Sequence, residues 1–253
     1  MILELDCGNT RVKWRVRNDK FTIMRGIFLT HEGFNAITSH ELAAANIQRV
    51  LVGSVLGDDF ARKLASWSIT YLSINPEFAV SEPHSSGVIN GYQQPEKLGV
   101  DRWLAIIAAS AHAGSARVVV DCGSAITVDL VTSQGEHLGG YIAPGLRLMR
   151  EALESKTAAI KLGQIGYPDN SFPGRNTVAA IKSAELAMIA GLVEQAKSVL
   201  KNYDTSDAKL LVTGGDGEWL VSMLKDGAYH EDLVLDGLHI ALVGADTQKG
   251  MGK

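Results

Sequence analysis

With 253 residues, 46% of them hydrophobic and 21% charged, the chain has the apolar mass of one large globular domain or of two about half that size. A net charge of −4 gives no basic face for nucleic acid, and no apolar run reaches the length of a membrane span. The two cysteines, Cys7 and Cys122, cannot staple a scaffold, and no C-x-x-C pair or histidine cluster suggests zinc. The N-terminus runs straight into a strand pattern, without a basic region and a long apolar segment, so no signal peptide is expected and the chain reads as cytoplasmic.

In chain order, residues 2–6 and 11–17 read as a hairpin around Asp6-Cys7-Gly8-Asn9-Thr10, and 21–24 as a third strand. Residues 41–45 predict a short helix, and 49–55 a buried strand ending in small residues. A helix over 58–67 carries Phe60, Leu64 and Trp67 on one side, and a strand is expected at 70–74. Strand, helix and strand form a βαβ unit, hence a partly parallel sheet. Residues 75–99 are rich in Pro, Ser, Gly and Asn and contain Gly91-Tyr92. A polar loop of that length inside a compact domain is usually functional. Gly99-Val100-Asp101-Arg102-Trp103 then opens a helix to about residue 113. Asp101 reads either as its N-cap or as a carboxylate at the mouth of a cleft, beside an arginine suited to an anion.

The second half repeats the opening pattern. Val118-Val119-Val120-Asp121-Cys122-Gly123-Ser124-Ala125 leads into a second strand, and 137–142 reads as a third. A helix follows Pro144 to about residue 156, then a loop from 163 to 175, then a long helix over roughly 177–202. Residues 209–212 predict a strand, Thr213-Gly214-Gly215-Asp216-Gly217 a glycine-rich turn into a helix at 218–225, 232–235 a last strand, and 237–246 an apolar helix. Asp121 follows Asp6 by 115 positions. Internal duplication divides the chain into 1–114 and 115–253, each half projecting a carboxylate and a row of backbone N–H groups from a hairpin tip. Such tips suit a phosphate chain and its cation, although Asp-X-Gly hairpin turns are common in any context.

A duplicated α/β fold with Asp-X-Gly hairpins facing phosphates resembles the sugar kinase, Hsp70 and actin superfamily. Within it the chain is most similar to the type III pantothenate kinases. The marks are Asp6-Cys7-Gly8-Asn9-Thr10, Gly91-Tyr92, Gly99 to Trp103, Asp121 to Thr127, Gly139-Gly140-Tyr141-Ile142-Ala143-Pro144-Gly145, Asn176-Thr177 and Thr213 to Asp216, in the family's order along nearly the whole chain. The resemblance implies two ribonuclease H-like domains, mixed sheets flanked by helices, and ATP-dependent phosphorylation of pantothenate, the first step towards coenzyme A. Carried over by position, Asp6, Cys7, Gly8, Asn9, Thr10, Arg11, Val12 and Lys13 hold ATP, with Asp6 near Mg²⁺ and Ser124 meeting the phosphates from the second tip. Asp121 binds a monovalent cation, K⁺ or NH₄⁺. Tyr92, Gly99, Val100, Asp101, Arg102 and Thr177 line the pantothenate site, Asp101 is the general base, and Thr213-Gly214-Gly215 lies near the adenosine. A homodimer is implied as well. Ser124 stands where the family more often has Thr, which keeps the hydroxyl, and Lys13 lies outside any P-loop motif.

The chemistry agrees with these roles, because phosphoryl transfer needs alignment, cations on phosphate oxygens and an acceptor for the hydroxyl proton. Competing readings are a kinase of the same superfamily acting on another small hydroxyl compound, and a nucleotide-binding regulator without turnover. The cysteines read as small buried fillers.

Overall fold

The computed structural model describes residues 1–18, 21–37, 45–111, 114–169 and 173–250. Strand β1 (Ile2–Cys7) alternates Leu3, Leu5 and Cys7 into a core while Glu4 and Asp6 take the opposite face. It pairs antiparallel with β2 (Arg11–Arg17), which pairs antiparallel with β3 (Thr22–Leu29). On its other side β1 runs parallel to β4 (Arg49–Ser54), which runs parallel to β5 (Glu77–Phe78), giving the order β3-β2-β1-β4-β5. The core joins Leu3, Leu5, Val12, Val16, Val50 and Val52 to Leu64 and Trp67 of α1 (Asp58–Leu72).

Several expectations shift here. The third strand is longer than 21–24, and the strand expected at 70–74 is absent. Helix α1 continues through Leu72 and closes at Ser73 in a left-handed conformation (φ 58°), because Leu72 prolongs the apolar side begun by Phe60, Leu64 and Trp67. The parallel strand follows instead at β5. The helix expected at 41–45 falls, for residues 41–44, outside the described residues. The long loop holds a small hairpin, β6 (His84–Ser85) with β7 (Val88–Ile89), and a 3₁₀ turn at Pro95–Lys97. It delivers the chain to α2 (Val100–Ser110), in which Arg102 through Ala109 are all buried.

The second sheet copies the first. Strands β8 (Arg117–Cys122), β9 (Ala125–Val131) and β10 (His137–Pro144) form an antiparallel meander. Helices α3 (Leu146–Lys156) and α4 (Thr177–Leu200) follow, then β11 (Lys209–Thr213), α5 (Gly217–Leu224) and β12 (Ala228–Tyr229). Strand β11 is parallel to β8 and β12 to β11, so the order β10-β9-β8-β11-β12 repeats the first pattern strand for strand. Val118, Val120, Cys122, Ile126 and Val128 pack with Ile189, Val193, Ala196 and Leu200 of α4.

The strand expected at 232–235 is instead the start of a helix, α6 (Leu233–Gly250). Leu233, Val234, Leu235 and Leu238 are all buried, and a short run buried on every side has no periodicity to separate strand from helix. By contacts the chain divides into Met1–His112 with Asp232–Lys253, and Ala113–Glu231. The halves 1–114 and 115–253 are a division of the sequence repeat; by contacts α6 belongs with the first unit. Its His239 places Nδ1 2.7 Å from the Glu4 carboxylate on β1. No helix among the described residues is long and apolar enough to cross a membrane.

Candidate active site

The first tip is closed by Gly8, whose N–H donates to the Arg11 carbonyl at 3.0 Å. It is braced by Thr30, whose hydroxyl donates to the Gly8 carbonyl at 2.8 Å and whose N–H donates to the Thr10 carbonyl at 3.1 Å. Register sets Asp6 opposite Lys13 on β2 and beside Gly53 on β4. Asn9 and Arg11 are exposed, Thr10 and Lys13 half-buried. Cys7 and Val12 point the other way, into the core, so only their backbone is available to a ligand. Burial, and then the neighbouring Asp6 carboxylate, push the Cys7 thiol well above its usual range.

The second tip has the same register: Asp121 faces Thr127 on β9 and Thr213 on β11. Three segments close on it. The Gly123 N–H donates to the Ala125 carbonyl at 3.0 Å, the Gly145 N–H to the Ser124 carbonyl at 3.1 Å, and the Asp216 N–H to the Cys122 carbonyl at 3.0 Å. Gly214 sits at φ +89°, and a Cβ there would run into Asp121 Oδ1 and the Cys122 carbonyl. The turn after β11 can therefore back directly onto the aspartate only because residue 214 is glycine. Cys122 is buried like Cys7, and its thiol is raised by desolvation and by the Asp121 and Asp216 carboxylates.

In the first unit, α2 and the loop before it bring Tyr92, Gly99, Asp101 and Arg102 together. The buried Arg102 donates from Nη1 to the Tyr92 hydroxyl at 2.7 Å, its guanidinium 5.5 Å from the ring centre. Asp101 is not the N-cap: Gly99 takes that position, and Asp101 lies in the first turn, where the helix dipole favours a carboxylate. Its Oδ1 accepts from the Arg102 N–H at 2.7 Å, and a Cβ on Gly99 would lie 2.7 Å from that same oxygen. Thr177, exposed, opens α4 in the second unit behind the cap Asn176, whose side chain accepts from the Ala179 N–H at 2.9 Å.

Two residues escaped the sequence reading. Thr30 braces the first tip from 20 or more positions away. Asn90, nearly buried, accepts from the Tyr92 N–H at 3.0 Å and donates to the Glu82 and Pro95 carbonyls at 3.1 and 3.3 Å. Asn90-Gly91 looks like an ordinary turn in sequence, which hid its part in presenting Tyr92.

A family model described as type III pantothenate kinase matches residues 2–198. A type III pantothenate kinase from Cellvibrio japonicus is 38% identical over 242 residues, covering 95% of this chain and 96% of the relative. The chain belongs to the type III pantothenate kinase family. Two solved structures share the fold of this family member at low identity. One, from Campylobacter jejuni and described as a Baf family transcriptional activator, has a TM-score of 0.64 at 22% identity, covering 97% of this chain and 99% of that one. The other, from Sinorhizobium meliloti and described as a 2-dehydro-3-deoxygalactonokinase, has a TM-score of 0.55 at 12% identity with the same coverage. The duplicated, mixed five-stranded sheets flanked by helices are the α/β fold that the resemblance implied, and these two structures share it.

Proposed function

We propose that the chain passes the γ-phosphoryl group of ATP directly, in line, to the primary hydroxyl of pantothenate, with Asp101 taking the hydroxyl proton. Family membership makes the chain a pantothenate kinase, acting with ATP at the entry to coenzyme A synthesis. What carries the residue-level reading is the twice-built tip, with an aspartate at the same register position in two sheets of the same order.

In this reading the first tip from Asp6 to Lys13 and Ser124 of the second hold the triphosphate through backbone N–H groups, the Thr10 and Ser124 hydroxyls, and the Arg11 and Lys13 cations. Among the described residues no three His, Cys, Asp or Glu side chains cluster to hold a metal. Asp6 and Asp121 fit cations shared with phosphate oxygens, since a lone carboxylate with neighbouring carbonyls and water is a hard, all-oxygen donor set. Asp6 would hold Mg²⁺, and Asp121 K⁺ or NH₄⁺; when bound they offset charge on the phosphate oxygens. Tyr92, the Gly99–Arg102 turn and Thr177 line the pantothenate site, with the Arg102 cation on the side of the substrate carboxylate. As the new P–O bond forms and the bond to the ADP oxygen breaks, the hydroxyl proton passes to Asp101. A proton that leaves late in a loose transition state needs an acceptor in place rather than a strong base.

The enzyme acts as a cytoplasmic homodimer. Ala180, Ala184, Ala187, Met188 and Gly191 are exposed along one side of α4, and a side of small residues lets a second helix approach closely. Coupled ADP release measured with and without pantothenate, in Mg²⁺ with and without K⁺, tests the reading. ADP release should depend on both pantothenate and K⁺; release indifferent to pantothenate would sink it. Asp121→Ala should abolish the K⁺ response, and a variant still activated by K⁺ would move the cation elsewhere.

A further inference from the structure

The first tip is held from outside by one residue that takes no place in its motif. Strand β3 runs on to Leu29, which stands opposite Arg11 of β2, so the chain leaves the sheet beside the tip. A 3₁₀ turn at Thr30–Glu32 follows, steadied by the Glu32 carboxylate, which accepts from the Leu29 N–H at 2.9 Å. Half-buried Thr30 then makes two bonds back to the tip. Its hydroxyl donates to the Gly8 carbonyl at 2.8 Å, and its N–H to the Thr10 carbonyl at 3.1 Å. Both carbonyls are thereby drawn to one partner.

A carbonyl held in place fixes the amide that follows it, because the peptide unit is planar and trans, with C=O and N–H antiparallel. With the Gly8 and Thr10 carbonyls turned toward Thr30, the N–H groups of Asn9 and Arg11 are turned away from it. The Gly8 N–H is already spent on the Arg11 carbonyl, at 3.0 Å, so these two are the tip amides that Thr30 orients. Oriented backbone amides make a concavity for an anion, and their bonds to charged oxygens are the strong kind. Donors fixed before the ligand arrives also cost no ordering when it binds. Without the hydroxyl, the Gly8–Asn9 peptide unit gains freedom to rotate. A rotation turns its carbonyl, the negative end of the peptide dipole, toward the phosphate oxygens.

We propose that Thr30 is a positioning residue for phosphoryl transfer: it aims the Asn9 and Arg11 amides of the first tip and so sets how tightly the enzyme grips the donor's phosphates. The role rests on the reading above, in which that tip holds the triphosphate, so its test separates binding from turnover. Calorimetry on the full-length enzyme in Mg²⁺ measures ADP and inorganic tripolyphosphate, and coupled ADP release gives KM for each substrate. Thr30→Val keeps the shape and the backbone bond but removes the hydroxyl. It should weaken ADP and tripolyphosphate alike, by about 3- to 10-fold, the scale of one lost hydrogen bond. KM for ATP should rise in step, while KM for pantothenate stays within about 2-fold of wild type. Thr30→Ala should match Thr30→Val, and Thr30→Ser, which keeps the hydroxyl, should hold both ligands within about 3-fold of wild type. Unchanged ADP affinity in Thr30→Val overturns the proposal, as do KM values that rise equally for both substrates, or a serine variant as impaired as the valine one. A wild-type protein that binds both phosphate ligands in a Thr30-dependent way but does not phosphorylate pantothenate refutes the reaction and leaves this role standing.

Discussion

Replacing Gly99 with alanine tests whether Asp101 acts on the substrate or only steadies the first turn of α2. The new methyl would lie 2.7 Å from Asp101 Oδ1. Relief to an ordinary contact needs the carboxylate to move by about 0.7 Å or more, which strains its bond from the Arg102 N–H, and misplacing a catalytic group by about 1 Å costs on the order of 10²-fold. A fall in kcat of roughly 10- to 100-fold is therefore expected. Stability should barely change. Gly99 has φ −55° and ψ 132°, which alanine adopts freely, and a loss of cap quality of a few tenths of a kcal/mol to about 1 is offset by about 0.4–1 kcal/mol from a stiffer unfolded chain. The melting temperature should thus stay within about 3 °C of wild type. Coupled ADP release and thermal unfolding measure both quantities. Asp101→Asn is the control, expected to lose about 10²-fold or more in turnover with the fold intact. Combining it with Gly99→Ala should add little, because both act through one carboxylate. Wild-type turnover in Gly99→Ala, or a turnover loss matched by a melting drop of many degrees, would refute the reasoning.

Gly214→Ala places a methyl against Asp121 and the Cys122 carbonyl at a φ of +89°, so it should cost about 1–3 kcal/mol and shift the K⁺ titration of activity to higher concentration; a variant with the wild-type melting point and K⁺ response refutes the packing argument. Ala184→Glu, on the exposed side of α4, should convert the proposed dimer to a monomer by light scattering; an unchanged dimer mass would place the interface on another surface, and a monomeric wild type would refute the dimer. The buried thiols of Cys7 and Cys122 should resist alkylation of the native enzyme. Their folded pKa values lie above those of the unfolded chain, so the folded state holds more protons once unfolded thiols ionise above about pH 8.5, and each thiol lowers stability by about 1.4 kcal/mol per pH unit from there. Cys7→Ala with Cys122→Ala should flatten that alkaline slope in denaturant titrations; an unchanged slope would mean the thiols ionise alike in both states.

Both hairpin tips, their strand partners and the long helix α4 were legible in the sequence, because each rests on neighbours a few positions apart. Alternating apolar residues fix which strand face is buried, and Asp-Cys-Gly at the end of such a strand fixes the turn. Where local signals are ambiguous, the sequence does not separate strand from helix. The apolar run at 232–235 suited a buried strand as well as a helix, and Thr70-Tyr71 suited a strand until Leu72 proved to extend α1. The Asp101 neighbourhood was found by its motif, yet the motif could not say that Gly99 would be the cap.

What the sequence alone determined is the repeated strand–turn–strand unit and the kinase family it marks. The tertiary structure decided what each tip leans on. Gly214 backs onto Asp121 across 93 positions of chain, Thr30 braces Gly8, and Arg102 takes the Tyr92 hydroxyl. Glu4 shows the difference most clearly. In sequence it is one acid in an apolar strand, and in the fold it is fully buried between Arg15, with Nε at 2.5 Å, and His239, with Nδ1 at 2.7 Å. A carboxyl group can leave water only where hydrogen-bond partners replace its hydration, and those partners come from a neighbouring strand and from a helix 235 positions away. Local pattern cannot encode such a meeting; it exists only once the chain has closed on itself.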